Sequence, residues 1–505
     1  MRRLLTFALI LAALSTVLVA LPTLTTATAT PRPVPASVER IPLGDVDSAA
    51  LRTLGSFRVR PAYLSAARTT EPFSLMGVTW APDPAVGEVE VLFRHRADGR
   101  WSAWESVEAD ADDAPDAGSA DTRSQGFRLG TAPIWTGPSD GVQVRVNALS
   151  GAKPRDVRIE LVDPGTSPAD ALVDGPRDQA RAEEPMPRII TRREWGADES
   201  IRRGSPSYNS TVKVGFVHHS ASSNDYTREQ AAAMVRGIYA YHVKSNGWSD
   251  IGYNYLVDRY GRAYEGRAGG LDRFVVGSHT GGFNRATFGV ALLGDFSTVA
   301  PDTATVGMLT DVLAWKLGTA YRAPLGTAVL TSAGGGTSRY SAGQKATFDV
   351  VSGHRDAGNT ACPGATTYAR MGAIRQMVGD KLGAAFVDPV FTGEREHPRG
   401  SRGPVGMTAR TRFPLDWTTI VEDAQGQVVR TVSGRNDGGE PVALSWDLTD
   451  EQGRSARPGT YVLRLSGGAD GDRALPYEVR VTVKGALCRG GPLERVRCKA
   501  SKRGS

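Results

Sequence analysis

The sequence predicts a multidomain protein in which a mixed α/β domain stands between two all-β domains, and three observations lead there. From about residue 44 to 164, short segments alternate apolar and polar side chains with a period of two. From 188 to 388, strand-like runs alternate with segments of helical period. From 409 to 484 the period of two returns. Two stretches rich in Pro, Gly, Ala and charge, 165–187 and 389–408, carry no apolar period and are expected to be linkers. At 505 residues the chain is too long for one core, and three cores of this size fold without disulfide staples.

Taken in order, the chain opens on Arg2 and Arg3, an apolar run and the small-residue site around Ala27 and Ala29, the pattern of an export signal over 1–29. The apolar run is near the length of a short membrane span, but the Ala27-x-Ala29 site favours removal, so no stable membrane insertion is expected. In the first β domain, Val89-Glu90-Val91-Leu92-Phe93-Arg94 and Val142-Gln143-Val144-Arg145-Val146 alternate cleanly. Trp80, Trp101, Trp104 and Trp135 are candidates for stacking on sugar rings, with core packing the commoner use of such residues. The acidic stretch 105–121 lacks apolar periodicity, repels itself and is read as a loop.

In the middle region, 213–219 reads as a strand. Thr227 and Gln230 form a capping box that opens a helix with Ala231, Met234, Val235, Ile238 and Tyr241 on one face, ending at Asn246-Gly247. Strands are expected near 253–258 and 289–293, and helices over 304–322 and 365–382. In the last β domain, 418–422, 428–433, 442–446 and 460–465 are strand-like and separated by Gly-containing turns.

The net charge of +6 is matched by the tail 485–505 and its neighbour Lys484, where Arg489, Arg495, Arg497, Lys499, Lys502 and Arg503 face Glu494. Outside a cell such a tail meets anionic wall polymers rather than nucleic acid. Of three cysteines, Cys488 and Cys498 lie close together in the tail and are expected to pair, which leaves Cys362 for a separate task.

One candidate for that task is metal binding. His218 or His219, His354 and Cys362 are donors suited to zinc, and three protein ligands leave a fourth position for water, the composition of a catalytic site. Neighbours on a strand point to opposite faces, so one of His218 and His219 reaches a given metal. Spacing alone does not choose between zinc binding and ordinary packing of these residues.

Several blocks in fixed order add to this. Arg193-Glu194-Trp195-Gly196-Ala197, Val217-His218-His219-Ser220, Gly247-Trp248-Ser249-Asp250-Ile251-Gly252-Tyr253-Asn254-Tyr255, Tyr264-Glu265-Gly266-Arg267, Gly277-Ser278-His279-Thr280, and Gly353-His354-Arg355-Asp356 through Thr360-Ala361-Cys362-Pro363-Gly364 span about 188–385. Together they resemble the peptidoglycan recognition proteins and the type 2 N-acetylmuramoyl-L-alanine amidases. The resemblance implies a central mixed sheet flanked by helices and one zinc ion held by His218, His354 and Cys362. It places Tyr253 and Thr360 as catalytic residues, and His219, His279, Trp248, Asn284 and Arg267 as substrate-binding residues of a groove for the glycan and its stem peptide.

The expected activity is hydrolysis of the amide between the lactyl group of N-acetylmuramic acid and L-alanine, by a monomeric, secreted, wall-associated enzyme. Members without catalysis typically lack the cysteine, which is present here. The stretch 324–345, with Gly334-Gly335-Gly336, is longer than the family minimum; it either covers the groove or is an inert loop. Residues 413–465 resemble the immunoglobulin-like β-sandwich of flagellar hook-capping proteins. The first β domain resembles one that precedes amidases in exported actinobacterial proteins.

Overall fold

The structure is a computed structural model that describes residues 31–54, 59–108, 114–172, 186–336, 338–398, 401, 403–438, 440–469 and 472–485. The expected export signal, the tail after 485 and the Cys488–Cys498 pair lie outside these residues. Among the described residues no helix is long and apolar enough to cross a membrane.

The N-terminal region is an antiparallel sheet whose main path runs Ser37–Pro42, Arg158–Asp163, Arg68–Trp80, Ile134–Ala148, Val89–Ala97 and Arg100–Trp101. Its strands alternate as expected: Val89, Val91 and Phe93 point into one core with Val142, Val144 and Val146. The tryptophans divide. Trp80 and Trp135 are core residues, while Trp101 and Trp104 remain half-buried with the Arg94 guanidinium over both rings, 5.0 and 5.4 Å from their centroids.

The middle region is a six-stranded mixed sheet in the order Ile189–Ile190, Ala263–Glu265, Tyr255–Val257, Thr287–Leu292, Val214–His219 and Val351–Gly353. All neighbours are parallel except Tyr255–Val257 with Ala263–Glu265. The helices Thr303–Thr319 and Met371–Leu382 pack on one face through Leu309, Leu313, Leu317, Ile374 and Val378. The helix Gln230–Ala240 packs on the other, its start fixed by the Gln230 side chain accepting from the Thr227 amide at 2.7 Å.

That helix shows a feature hidden in the sequence. One apolar face was expected, yet every residue from Ala231 to Ala240 is buried, because the N-terminal sheet covers the outer face with Leu75, Trp135 and Val162. The two domains thus share one apolar core. Gly77 is required at this seam, since a Cβ there would lie 2.4 Å from the Tyr241 hydroxyl, which itself donates to the Thr131 carbonyl at 3.0 Å. Arg236 completes the seam: it is fully buried, binds both oxygens of Asp170 at 2.8 and 2.7 Å and donates to the Pro164, Gly165 and Trp195 carbonyls. The first part of the expected linker 165–187 is therefore an anchored segment, Pro168–Leu172, carrying Asp170.

The C-terminal region is β-rich. A three-stranded sheet, Phe386–Thr392, Val405–Thr411 and Val442–Trp446, and a five-stranded one containing Leu415–Glu422, Val428–Asn436, Gly459–Ala469 and Asp472–Val483 enclose a core around Trp446. The stretch 389–408, read as a linker, contributes strand residues here. Val405, Met407 and Ala409 alternate inward, a short period masked in the sequence by the intervening Gly, Thr and Arg.

Candidate metal centre and groove

The chemistry-bearing residues gather at the C-terminal ends of the parallel strands, where open α/β sheets place their sites. His218 and His219 end the Val214–His219 strand; His354 follows Val351–Gly353 directly, and Cys362 lies on the loop beyond it. Pairing of Gly215–Val217 with Val351–Gly353 brings the two histidine-bearing ends side by side.

The donor atoms of His218, His354 and Cys362 lie within 4.8 Å of one another, and the three side chains are 0%, 1% and 7% exposed. Nδ1 of His218 faces the Cys362 sulfur at 3.8 Å, and its Nε2 is 3.2 Å from Nδ1 of His279 and 3.4 Å from the Thr280 hydroxyl. One ring nitrogen thus points at the cluster while the other is held from behind, the arrangement that fixes a ligating imidazole. Burial lowers the His218 imidazole to about 3, so it is neutral at physiological pH. Two imidazoles and a thiol fit a divalent ion of borderline softness such as zinc.

His219 takes the other face of its strand. Its Nδ1 accepts from the Phe296 amide at 3.2 Å and lies 3.6 Å from Asp295, and its backbone amide points at the Cys362 sulfur from 3.4 Å. The residue therefore touches the site through its main chain. Tyr253 is buried with its ring 5.5 Å from that of His218. Thr360 is half-buried, and its hydroxyl oxygen accepts from the Cys362 amide at 3.0 Å, shaping the cysteine loop.

Four other residues expected in the groove are placed around this centre in supporting positions. His279 is wholly buried between the glycine backbones of Gly277 and Gly289, where a Cβ on either would come within 2.5 Å of its ring. Asn284 accepts from the His279 and Thr280 amides at 2.7 and 3.0 Å, so it holds the loop that holds His218. Trp248 is buried and stacked on His242 at 4.5 Å. Arg267 donates to the Ser278 hydroxyl at 2.6 Å and the Ser249 hydroxyl at 3.0 Å.

Two participants were not read from the sequence. Asp116 and Asp121, from the acidic stretch of the N-terminal region, reach across to Asn284 and to Arg267. Their like-charged neighbourhood suggested a solvated loop, and their partners lie far away in the chain. The 324–345 stretch resolves into the hairpin Thr327–Thr331 and Lys345–Asp349, seated on Phe216 and Phe283 through Phe348. Gly334 at its tip accepts from the Ala117 amide at 3.1 Å, so this stretch touches the acidic segment of the N-terminal region.

The mixed sheet thus carries at its strand ends a buried His, His, Cys cluster with the donor set of a possible metal site. Residues 208–365 match the N-acetylmuramoyl-L-alanine amidase family, and residues 27–171 match the family described as Rv3811 N-terminal galactose-binding domain-like. The central region is thus similar to the N-acetylmuramoyl-L-alanine amidases and to the peptidoglycan-recognition proteins. Peptidoglycan-recognition protein SC2 of Drosophila melanogaster is 29% identical over 184 residues, which cover 36% of this chain and 82% of that protein. The human N-acetylmuramoyl-L-alanine amidase is 37% identical over 133 residues, 25% of this chain and 22% of that protein. Among solved structures, peptidoglycan recognition protein-LE in complex with tracheal cytotoxin aligns with 25% identity and a TM-score of 0.29, covering 37% of this chain and 92% of that one.

Proposed function

We propose that this protein is an exported, zinc-dependent N-acetylmuramoyl-L-alanine amidase that cuts peptidoglycan between the lactyl group of N-acetylmuramic acid and the L-alanine of the stem peptide. The observation that carries the reading is the convergence of His218, His354 and Cys362 within 4.8 Å inside an amidase-family domain. A binding protein on the same fold has no need of a complete donor set, and Cys362 completes it.

The cluster is the place for one zinc ion, which when bound supplies the Lewis acidity that polarises an amide carbonyl and acidifies water. The chain's own residues do the rest. His279 and Thr280 fix the His218 ring, and the His219 amide turned toward the sulfur holds the Cys362 side chain in place. Tyr253, packed beside His218, orients the attacking water through its hydroxyl. The Thr360 oxygen already accepts from the Cys362 amide, which leaves its hydroxyl hydrogen for the substrate carbonyl oxygen.

The β-rich C-terminal region is read as an immunoglobulin-like sandwich, and the basic tail would hold the enzyme to anionic wall polymers. Digestion of purified peptidoglycan, with and without a chelator, followed by mass analysis tests the reading. Intact glycan strands and stem peptides with a free L-alanine amine, formed only without chelator, support it. Cleaved glycan or unchanged polymer overturns it.

A further inference from the structure

The metal cluster is buried although its proposed substrate is a polymer. His218, His354, Cys362 and Tyr253 are each at most 7% exposed, and the loop that backs His218 through His279 and Thr280 is held by Asn284, which the N-terminal domain grips in turn. Residues 114–127 of that domain form a strap laid along the central domain and tied at both ends and in the middle.

At the near end, Asn284 donates from its side chain to the Ala114 carbonyl at 3.0 Å and to the Asp116 carboxylate at 2.8 Å, and from its backbone to Asp116 at 3.2 Å. Ala117 donates to the Gly334 carbonyl of the hairpin tip, so strap and hairpin meet. In the middle, the Asp121 carboxylate receives Arg267 at 2.8 Å, the Ser278 hydroxyl at 2.7 Å and the Ser249 amide at 2.9 Å. At the far end, the Ser124 hydroxyl donates to the Gly247 carbonyl at 2.7 Å. Gly247 has φ of +77°, and a Cβ there would strike the Gly126 carbonyl oxygen at 2.1 Å, so the strap lies directly against the backbone.

The partners of the strap are the polar groups that a peptide substrate needs. Arg267, two serines and an asparagine surround two carboxylates, and a peptidoglycan stem is a short peptide with free carboxylates. Beside the strap runs an open cleft of about 440 Å³ lined by Arg123, Arg202, Arg203, Arg267 and Arg285 against Asp116, Asp121 and Asp250, a net cationic approach for an anionic peptide. The lining of that cleft reaches Asn284 and Ser278 and stops short of the metal cluster.

We propose that the strap is a built-in inhibitor of the central site: Asp121 and Asp116 occupy the seats of substrate carboxylates on Arg267 and Asn284, and a stem peptide must displace them to reach the metal cluster. The inference rests on the amidase reading. It differs from a purely structural role in its sign, because a scaffold that is loosened lowers activity and an inhibitor that is loosened raises it.

The geometry offers a reversible clamp. A Cβ built on Gly281 lies 3.6 Å from the Cβ of Ala114, within the range of about 3.5–4.5 Å that a disulfide spans. The test uses the full chain, zinc-loaded, carrying Ala114→Cys with Gly281→Cys. Release of stem peptide from a soluble muropeptide and binding of a fluorescent muropeptide are both measured oxidised and reduced, with each single cysteine variant as control. The oxidised form should cleave and bind at least tenfold less well, with both restored on reduction. Asp116→Ala with Asp121→Ala should raise cleavage several-fold above wild type at equal zinc content.

Equal cleavage and binding in the oxidised and reduced forms, or a fall in cleavage in the double alanine variant, overturns the inhibitor and leaves the amidase standing. Absence of cleavage in every form, with binding still controlled by the clamp, overturns the amidase reading and leaves the strap standing.

Discussion

Nδ1 of His218 lies 3.8 Å from the sulfur of Cys362, close enough for one ion to touch both, while the other nitrogen of the same ring is held by His279 at 3.2 Å. Replacing the sulfur should therefore empty the site without collapsing it. Cys362→Ser exchanges a thiolate for a neutral hydroxyl, so zinc content and stem-peptide release should both fall to near background while the folded signal in circular dichroism persists. Zinc analysis and a cleavage assay on the same preparation check this.

Tyr253→Phe separates catalysis from packing. The ring stays beside His218 and only the hydroxyl is lost, so stability should change by about 1 kcal/mol. If that hydroxyl orients water, turnover should drop about a hundredfold or more at unchanged zinc content and similar muropeptide affinity. Steady-state kinetics with parallel metal analysis distinguish this from a tyrosine that merely packs.

The Asp121 contact should show in acid. Burial opposes its charge, but Arg267 and the hydrogen bonds from Ser249 and Ser278 outweigh burial and hold the carboxyl down to about 2. A lowered value means that the folded state favours the ionised form, so the stabilisation is complete above the ordinary value near 4 and is lost as pH falls through about 2. Wild type should exceed Asp121→Asn in stability by about 2 kcal/mol near pH 6, and the gap should close between about pH 4 and 2. Denaturant titrations across that range measure it.

The shared core predicts coupled unfolding of the first two domains. Gly77→Ala drives a methyl group into the Tyr241 ring, where atoms would stand 2.4–2.5 Å apart, and should cost about 1–3 kcal/mol. Because Tyr241 belongs to the central domain, calorimetry should show the N-terminal and central transitions moving down together. A shift confined to the N-terminal domain would mean that the seam is loose.

Local patterns were readable where their causes are local. The 213–219 run became the strand Val214–His219 and the 304–322 period became Thr303–Thr319, while of the Thr227–Gln230 box only the bond from the Thr227 amide to the Gln230 side chain forms, just ahead of a helix that starts at Gln230. The strand alternation in the N-terminal region also read true. What stayed hidden depended on distant partners. Asp116 and Asp121 looked like mutually repelling surface charges until the fold supplied Asn284 and Arg267. The outer face of the Gln230–Ala240 helix, small and partly polar, gave little sign that Leu75 and Trp135 would cover it. Asp170 sat in a stretch whose composition spoke for a linker, and its role appears only with Arg236. In the metal cluster, the donors were visible one by one, but their convergence required the pairing of two strands more than a hundred residues apart.

The account turns on metal-dependent amide hydrolysis, and a zinc titration tests it most directly. Metal-free full-length protein is given zinc in steps, and release of L-alanine-terminated stem peptide from a soluble muropeptide is followed at each step. Release should rise in proportion to bound zinc and level off at about one ion per chain. Cleavage by the metal-free protein, or none by the fully loaded protein, would contradict the account.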